Sequence, residues 1–315
     1  MSRIHEALKK AEQERALSQQ SASRIEPPTV LDSAVVFDPL AVRDPAIDAG
    51  VIMGRASTLA GNPAPVMSPE AMLARCRQTR WTPEPKAMLF FNSEDHAPGM
   101  EEFRTLRSRL YQAREKQPLT KVLITSALPK EGKSFTSANL AQVIVRQHGK
   151  RVLLIDGDLR NPRLHELLGA EQTPGLVNYL VGEADEFSIV QRGPMDNLFL
   201  IPAGEARGDS AELIGNGRIK FLLSRMEPLF DWIIVDSPPA ALVSDPGLLA
   251  KHCDGVLLVV RSNTTPVDAA RRAAREFADR PLLGVVLNGI APNLSPYSEY
   301  YYSGYGAQTK AAAKN

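Results

Sequence analysis

The chain has 315 residues, 43% of them hydrophobic and 23% charged, and a formal net charge of +1. This is ordinary globular composition, enough for one sizeable α/β domain with appendages, and the near-neutral balance gives no global field for nucleic acid or a membrane surface. The two cysteines, Cys76 and Cys253, are far apart and lack metal-ligand spacing, which argues against a disulfide framework and fits a reducing cytosol.

The first twenty residues, MSRIHEALKKAEQERALSQQ, are charged throughout and lack the apolar stretch of a signal peptide. Ile4, Leu8 and Ala11 recur at helical spacing and Ser2 can cap, so residues 1–20 are expected to form an amphipathic helix whose narrow stripe suits a docking partner. Residues 21–95 are rich in Pro, Ala, Ser and Asp without a clear period, as in RIEPPTVLDS and AGNPAPVMSPE. They are expected to be a largely disordered linker, with EAMLARCRQ as a short helix. No apolar run approaches the ~18 residues of a membrane span, so the chain is expected to be soluble by itself.

Residues 96–292 change character. Apolar runs KVLITS, RVLLIDGD, NLFLIPAG, DWIIVDSPP, DGVLLVVRS and LLGVVLNGI alternate with helical patterns such as SFTSANLAQVIVRQHG, SAELIGNGRIKFLLSRMEPLF and PVDAARRAAREFADR. Strands apolar on both faces and separated by helices predict a mostly parallel sheet covered on both sides, with ligands at the carboxyl ends of the strands. Residues 293–315 are expected to be a flexible tail.

The first of these runs leads into ALPKEGKS, residues 127–134, and then into a helix. This is the context of a phosphate-binding loop, with Ala127 at the place of the first glycine and Gly132, Lys133 and Ser134 matching the rest. Backbone N–H groups at a helix start cradle anionic oxygens. Gly132 admits close approach, Lys133 can reach terminal phosphates, and the Ser134 hydroxyl suits Mg²⁺. Pro129, Lys130, Glu131 and Phe135 complete the candidate nucleotide-binding loop. Two further strands end in acids: LLIDGDLR gives Asp156 and Asp158, followed by Arg160, and IIVDSPP gives Asp236. Carboxylates at strand tips are held rigidly and offer Mg²⁺ the hard oxygens it prefers. Ser134, Asp156, Asp158 and Asp236 are therefore the candidate metal ligands. His165 has no second histidine nearby for a metal, and Cys253 reads as packing.

In this order, ALPKEGKS, LLIDGDLR and IIVDSPP resemble the Walker A, Walker A′ and Walker B motifs of bacterial tyrosine kinases, over roughly residues 100–305. Lys130 departs from the pattern, standing where many members have Gly. EEFRTLR, with Glu101, Arg104 and Arg107 on one helical stripe and Phe103, Leu106 and Leu110 on the adjacent one, matches the E-x-x-R-x-x-R element that mediates ring-like self-association in that family. SPYSEYYYSGYGAQTK gathers Tyr297, Tyr300, Tyr301, Tyr302 and Tyr305, as expected of a tail that threads into an active site and releases once phosphorylated.

The resemblance implies a P-loop NTPase fold of the ParA/MinD-like type, ATP and Mg²⁺ as cofactors, and autophosphorylation of the tyrosine tail. By resemblance Lys133, Asp156 and Asp158 are catalytic and Asp156 accepts the tyrosine proton, although base and metal roles among the three aspartates stay open. Asn288 would contact the nucleotide base, and Arg160 would sense phosphate or bridge to a partner. The family works with a transmembrane polysaccharide co-polymerase that holds the kinase at the cytoplasmic face of the membrane, in exopolysaccharide or capsule synthesis and export. Two rival readings are a ParA/MinD-like positioning ATPase and a nucleotide-gated adaptor of an export complex. The positioning ATPases carry an extra lysine five residues before the loop lysine, where this chain has Leu128.

Overall fold

The computed structural model describes residues 68–85, 88–91 and 99–290. They are built around one eight-stranded sheet. In chain order the elements are α1 (Pro69–Leu73), β1 (Arg77–Gln78), α2 (Met100–Lys116), β2 (Lys121–Ser126), α3 (Lys133–Val145), β3 (Val152–Asp156), α4 (Leu164–Leu168), α5 (Leu176–Val181), β4 (Gln191–Arg192), β5 (Leu198–Ile201), α6 (Ser210–Gly215), α7 (Arg218–Met226), β6 (Trp232–Asp236), α8 (Asp245–Ala250), β7 (Gly255–Arg261), α9 (Val267–Arg275) and β8 (Leu282–Asn288). The strand order is β1-β4-β5-β3-β6-β2-β7-β8, and every pairing is parallel except β4 with β5.

All six apolar runs of the sequence are strands. Their side chains alternate between two cores, as the two-residue period of a strand requires. Leu123, Leu153, Ile155, Ile233, Val235 and Leu258 pack on one face with α5, α7 and α8. Val122, Ile124, Leu154, Ile234 and Val259 pack on the other with α2 and α3. Among the described residues no helix is long and apolar enough to cross a membrane. Cys253 is buried in the first core, and burial pushes its thiol up to about 12.

Two expectations change. The single helical pattern over residues 210–230 is two helices, because Gly217 adopts φ +82° between them and Asn216 Oδ1 accepts from Arg218 N at 2.9 Å. The linker expected over residues 21–95 is folded where it is described. Residues 68–85 and 88–91 form a strap across the domain: β1 pairs with β4, and Trp81, Met88 and Phe90 are buried. A mostly extended strap with three large apolar anchors has no helical or alternating period, so its composition reads as linker. The structured domain therefore starts well before residue 96. The expected helix at 1–20 and the tyrosine tail at 293–315 lie outside the described residues.

Candidate active site

The site lies where β2, β3 and β6 end and α3 begins. β6 is the shared neighbour of β2 and β3, so all three motifs open on one edge. Asp156 and Asp236 are directly paired in register across β3 and β6. The strand ends are drawn together by Gly157, whose N–H donates to Asp236 O at 2.8 Å. A Cβ at residue 157 would sit 2.6 Å from that carbonyl, so the motif requires glycine there.

The phosphate loop turns sharply into α3. Gly132, the residue before the helix, has φ +95°, and a Cβ there would meet Asn288 Nδ2 at 2.0 Å. Lys130 also adopts positive φ, +65°, a conformation that glycine takes without cost and lysine does not. The departure from the family pattern therefore falls on a strained position. The first N–H groups of α3, a 13-residue helix, have no partner within the helix. Groups of this kind can cradle an anion.

The side chains engage one another across the strand ends. Lys133 Nζ lies 2.8 Å from Asp158 Oδ2. Ser134 Oγ donates to Asp236 Oδ2 at 2.6 Å, and Ser137 Oγ donates to Asp236 Oδ1 at 3.0 Å. Asp156 Oδ2 accepts from the backbone N–H groups of Arg163 and Leu164 at 3.1 and 3.0 Å, holding the start of α4. Ser137 is a member of this network that the motif match did not include. Its place one helical turn after Lys133 was the available signal.

The electrostatics follow from burial. Asp156 is fully buried, and desolvation followed by the charge of Asp236 pushes its carboxyl up to about 8, against the donated N–H of Leu164. Asp236 is raised as well, by burial first, with Lys133 and Ser134 opposing. Burial alone would lower Lys133, but the carboxylates of Asp236 and Asp158 outweigh it and hold the ammonium above its ordinary value.

Ser134, Asp156, Asp158 and Asp236 are thus brought to one place, yet among the described residues no group of three or more acidic, His or Cys side chains is arranged to hold a metal by itself. Mg²⁺ keeps several waters and takes one or two protein oxygens plus phosphates. Ser134 with Asp236 is the pair whose donor set suits it, and the cradle with Lys133 suits a polyphosphate.

Five other predicted residues have hydrogen-bond or ion-pair partners in the fold. Arg160 makes a two-pronged ion pair with the fully buried Asp245 on α8, at 2.9 and 3.0 Å. Asn288 Nδ2 donates to Glu131 O at 2.8 Å, so the end of β8 rests on the phosphate loop. On α2, Glu101 pairs with Arg104, while Arg107 donates to Val143 O at the end of α3 at 2.8 Å. Pro129 is exposed at the loop tip and Phe135 is half-buried, edge-on to Phe103 at 5.9 Å between ring centres. The imidazole of His165 is held below its ordinary value by burial.

No protein-family model matches the chain. Among curated proteins it is 36% identical over 214 residues to the tyrosine-protein kinase YwqD of Bacillus subtilis, an alignment covering 67% of this chain and 89% of that protein. It is 34% identical over 225 residues to the putative tyrosine-protein kinase EpsB of Ralstonia nicotianae, covering 69% of this chain but only 30% of that longer protein. Among solved structures it resembles the kinase domain of the Escherichia coli tyrosine kinase ETK, with 30% identity and a TM-score of 0.58 over 61% of this chain and 75% of that one.

Proposed function

The chain belongs to the bacterial tyrosine-protein kinases, and from that premise we propose that it is an ATP-dependent autokinase that phosphorylates its own C-terminal tyrosines. The observation that carries the reading is the convergence of Lys133, Ser134, Asp156, Asp158 and Asp236 on one edge of the sheet beside an anion cradle.

In this reading the N–H groups at the start of α3 and the ammonium of Lys133 bind the polyphosphate and stabilise charge that develops on the transferred phosphoryl group. Mg²⁺, held by Ser134 and by Asp236 directly or through water, would neutralise the phosphate oxygens when bound. Asp156 is the candidate for accepting the phenol proton. Its raised pKa suits that task, because a base poised near the working pH both takes and releases a proton. Asp158 holds Lys133 in place until phosphate competes for it. Tyr297, Tyr300, Tyr301, Tyr302 and Tyr305 are the proposed acceptors, reached between subunits. Glu101 and Arg104, which lie on one surface of α2, are the proposed self-association residues together with Arg107. A transmembrane polysaccharide co-polymerase is the proposed activator. It would hold the chain at the cytoplasmic face of the membrane, in control of exopolysaccharide or capsule synthesis and export.

The test is phosphotyrosine mapping by mass spectrometry after phosphatase treatment and then Mg-ATP, comparing the chain with Lys133→Met. Phosphate on Tyr297–Tyr305 that disappears in Lys133→Met is the expected result. Steady ATP hydrolysis with an unmodified tail, also with a co-encoded membrane partner's cytoplasmic segment present, would move the reading to a positioning ATPase.

A further inference from the structure

A glutamate inside a loop that binds phosphate poses a physical problem, since a carboxylate facing the ligand repels it. Glu131 avoids this by turning inward and is only 2% exposed. Its Oε2 accepts from Leu128 N at 2.7 Å, and its Oε1 accepts from the Thr265 hydroxyl. Thr265 Oγ1 in turn accepts from Arg261 N at 2.9 Å, and Thr265 N donates to Arg261 O at 3.0 Å. The Arg261 guanidinium then reaches back to the loop, donating from Nη1 to Lys130 O at 3.1 Å.

The turn after β7 is thereby joined to the turn after β2, and these strands are neighbours in the sheet. Three groups of the phosphate loop are taken up: the N–H of Leu128, the carboxylate of Glu131 and the carbonyl of Lys130. Lys130 is the residue that needs such restraint, because its positive φ disfavours any side chain and a free loop would relax out of it. With these groups so occupied, the loop leaves the N–H groups at the start of α3 to the ligand.

The geometry points to Glu131, Thr265 and Arg261 as a clamp of positioning residues that sets the phosphate loop for nucleotide before it arrives. Glu131 would then act through its carboxylate on the loop and not on the ligand. This rests on the reading of the loop as the ATP site, and adds to it a residue pair on the β7–α9 turn that no nucleotide-loop motif contains.

The test uses the full chain. Dissociation constants for ADP and Mg-ATP are measured for the unsubstituted protein, Thr265→Val, Thr265→Ser and Arg261→Met, alongside KM for ATP, kcat for tail phosphorylation and the melting temperature. Thr265→Val removes a hydrogen bond to a buried charged group, so nucleotide binding is expected to weaken about tenfold. The loss should appear in KM with kcat at saturating ATP largely retained, and Thr265→Ser should restore binding. Arg261→Met, at an exposed side chain, should weaken binding in the same direction and serves if Thr265→Val does not fold. Equal affinities in the unsubstituted, Thr265→Val and Arg261→Met proteins would overturn the clamp while leaving the ATP site standing. Failure of the unsubstituted protein to bind either nucleotide would overturn the ATP site itself.

Discussion

Lys133 and Asp158 form an ion pair of 2.8 Å at the centre of the site, with side chains only 11% and 3% exposed. The pair joins the start of α3 to the segment after β3, and so ties the phosphate loop to the second motif. Removing one member of a buried pair costs ~3–5 kcal/mol because the other is left without compensation. Lys133→Met is therefore expected to lower stability as well as abolish kinase activity. Lys133→Met combined with Asp158→Asn should recover part of the stability and none of the activity. Urea unfolding of the two single variants and the double variant checks this. Strictly additive losses would show that the pair is not coupled in the folded protein.

The raised carboxyl of Asp156 makes a prediction about pH. Between the ordinary value of 3.8 and about 8, the folded chain holds a proton that the unfolded chain has released. The folded state binds more protons in that window, so stability falls as pH rises through it. In metal-free, nucleotide-free buffer the melting temperature should decline from about pH 5 to pH 8. Asp156→Asn should flatten the decline, since the asparagine cannot ionise. A profile of equal slope in both proteins would place the titrating group elsewhere.

Lys130 gives a prediction of opposite sign from most substitutions. Holding a non-glycine residue at φ +65° costs roughly 1–2 kcal/mol. Lys130→Gly removes that cost but returns part of it as unfolded-chain entropy. A net gain of up to about 1 kcal/mol in thermal or chemical unfolding is expected, with nucleotide binding retained. Gly132→Ala should do the reverse. Its new Cβ would meet Asn288 Nδ2 at 2.0 Å and break the bond from Asn288 to Glu131 O, lowering both stability and nucleotide affinity.

The sheet and three motif-bearing strand ends were readable because buried parallel strands are short, apolar on both faces and end in the polar residues that serve the ligand. LLIDGD and WIIVD meet that description, and the structure pairs Asp156 with Asp236 in register. What the sequence concealed was held by long-range partners. The bond from the Thr265 hydroxyl to Glu131 spans 134 positions, and nothing local marks Thr265 as the partner of that loop residue. The pairing of β1 with β4 involves two residues on each strand, too few to show a period. Arg160 was legible as a charged residue beside the site, but its buried partner Asp245 on α8 was not.

The strap is the largest departure from that reading, and its fit is tight enough to test. Trp81 lies against Gly193, where a Cβ would come within 2.4 Å of the indole ring. Its Nε1 donates to Thr79 Oγ1 at 2.9 Å, and Thr79 donates to Gln191 Oε1 at 3.2 Å. Further along, Thr82 N and Glu84 N donate to Gly169 O and Leu167 O at the end of α4, each at 3.1 Å. The other end of α4 is the one held by Asp156. The strap therefore braces the helix whose start Asp156 holds. Trp81→Ala should cost ~3–5 kcal/mol, the range for emptying a large aromatic site in a core. Gly193→Ala should act on the same contact from the other side by displacing the ring. Because both variants disturb one contact, their combination should cost less than the sum of the two. Urea unfolding of the full chain measures this directly. Costs near zero for both would mean that the strap does not pack on the domain in solution, and the boundary of the folded unit would move back toward residue 96.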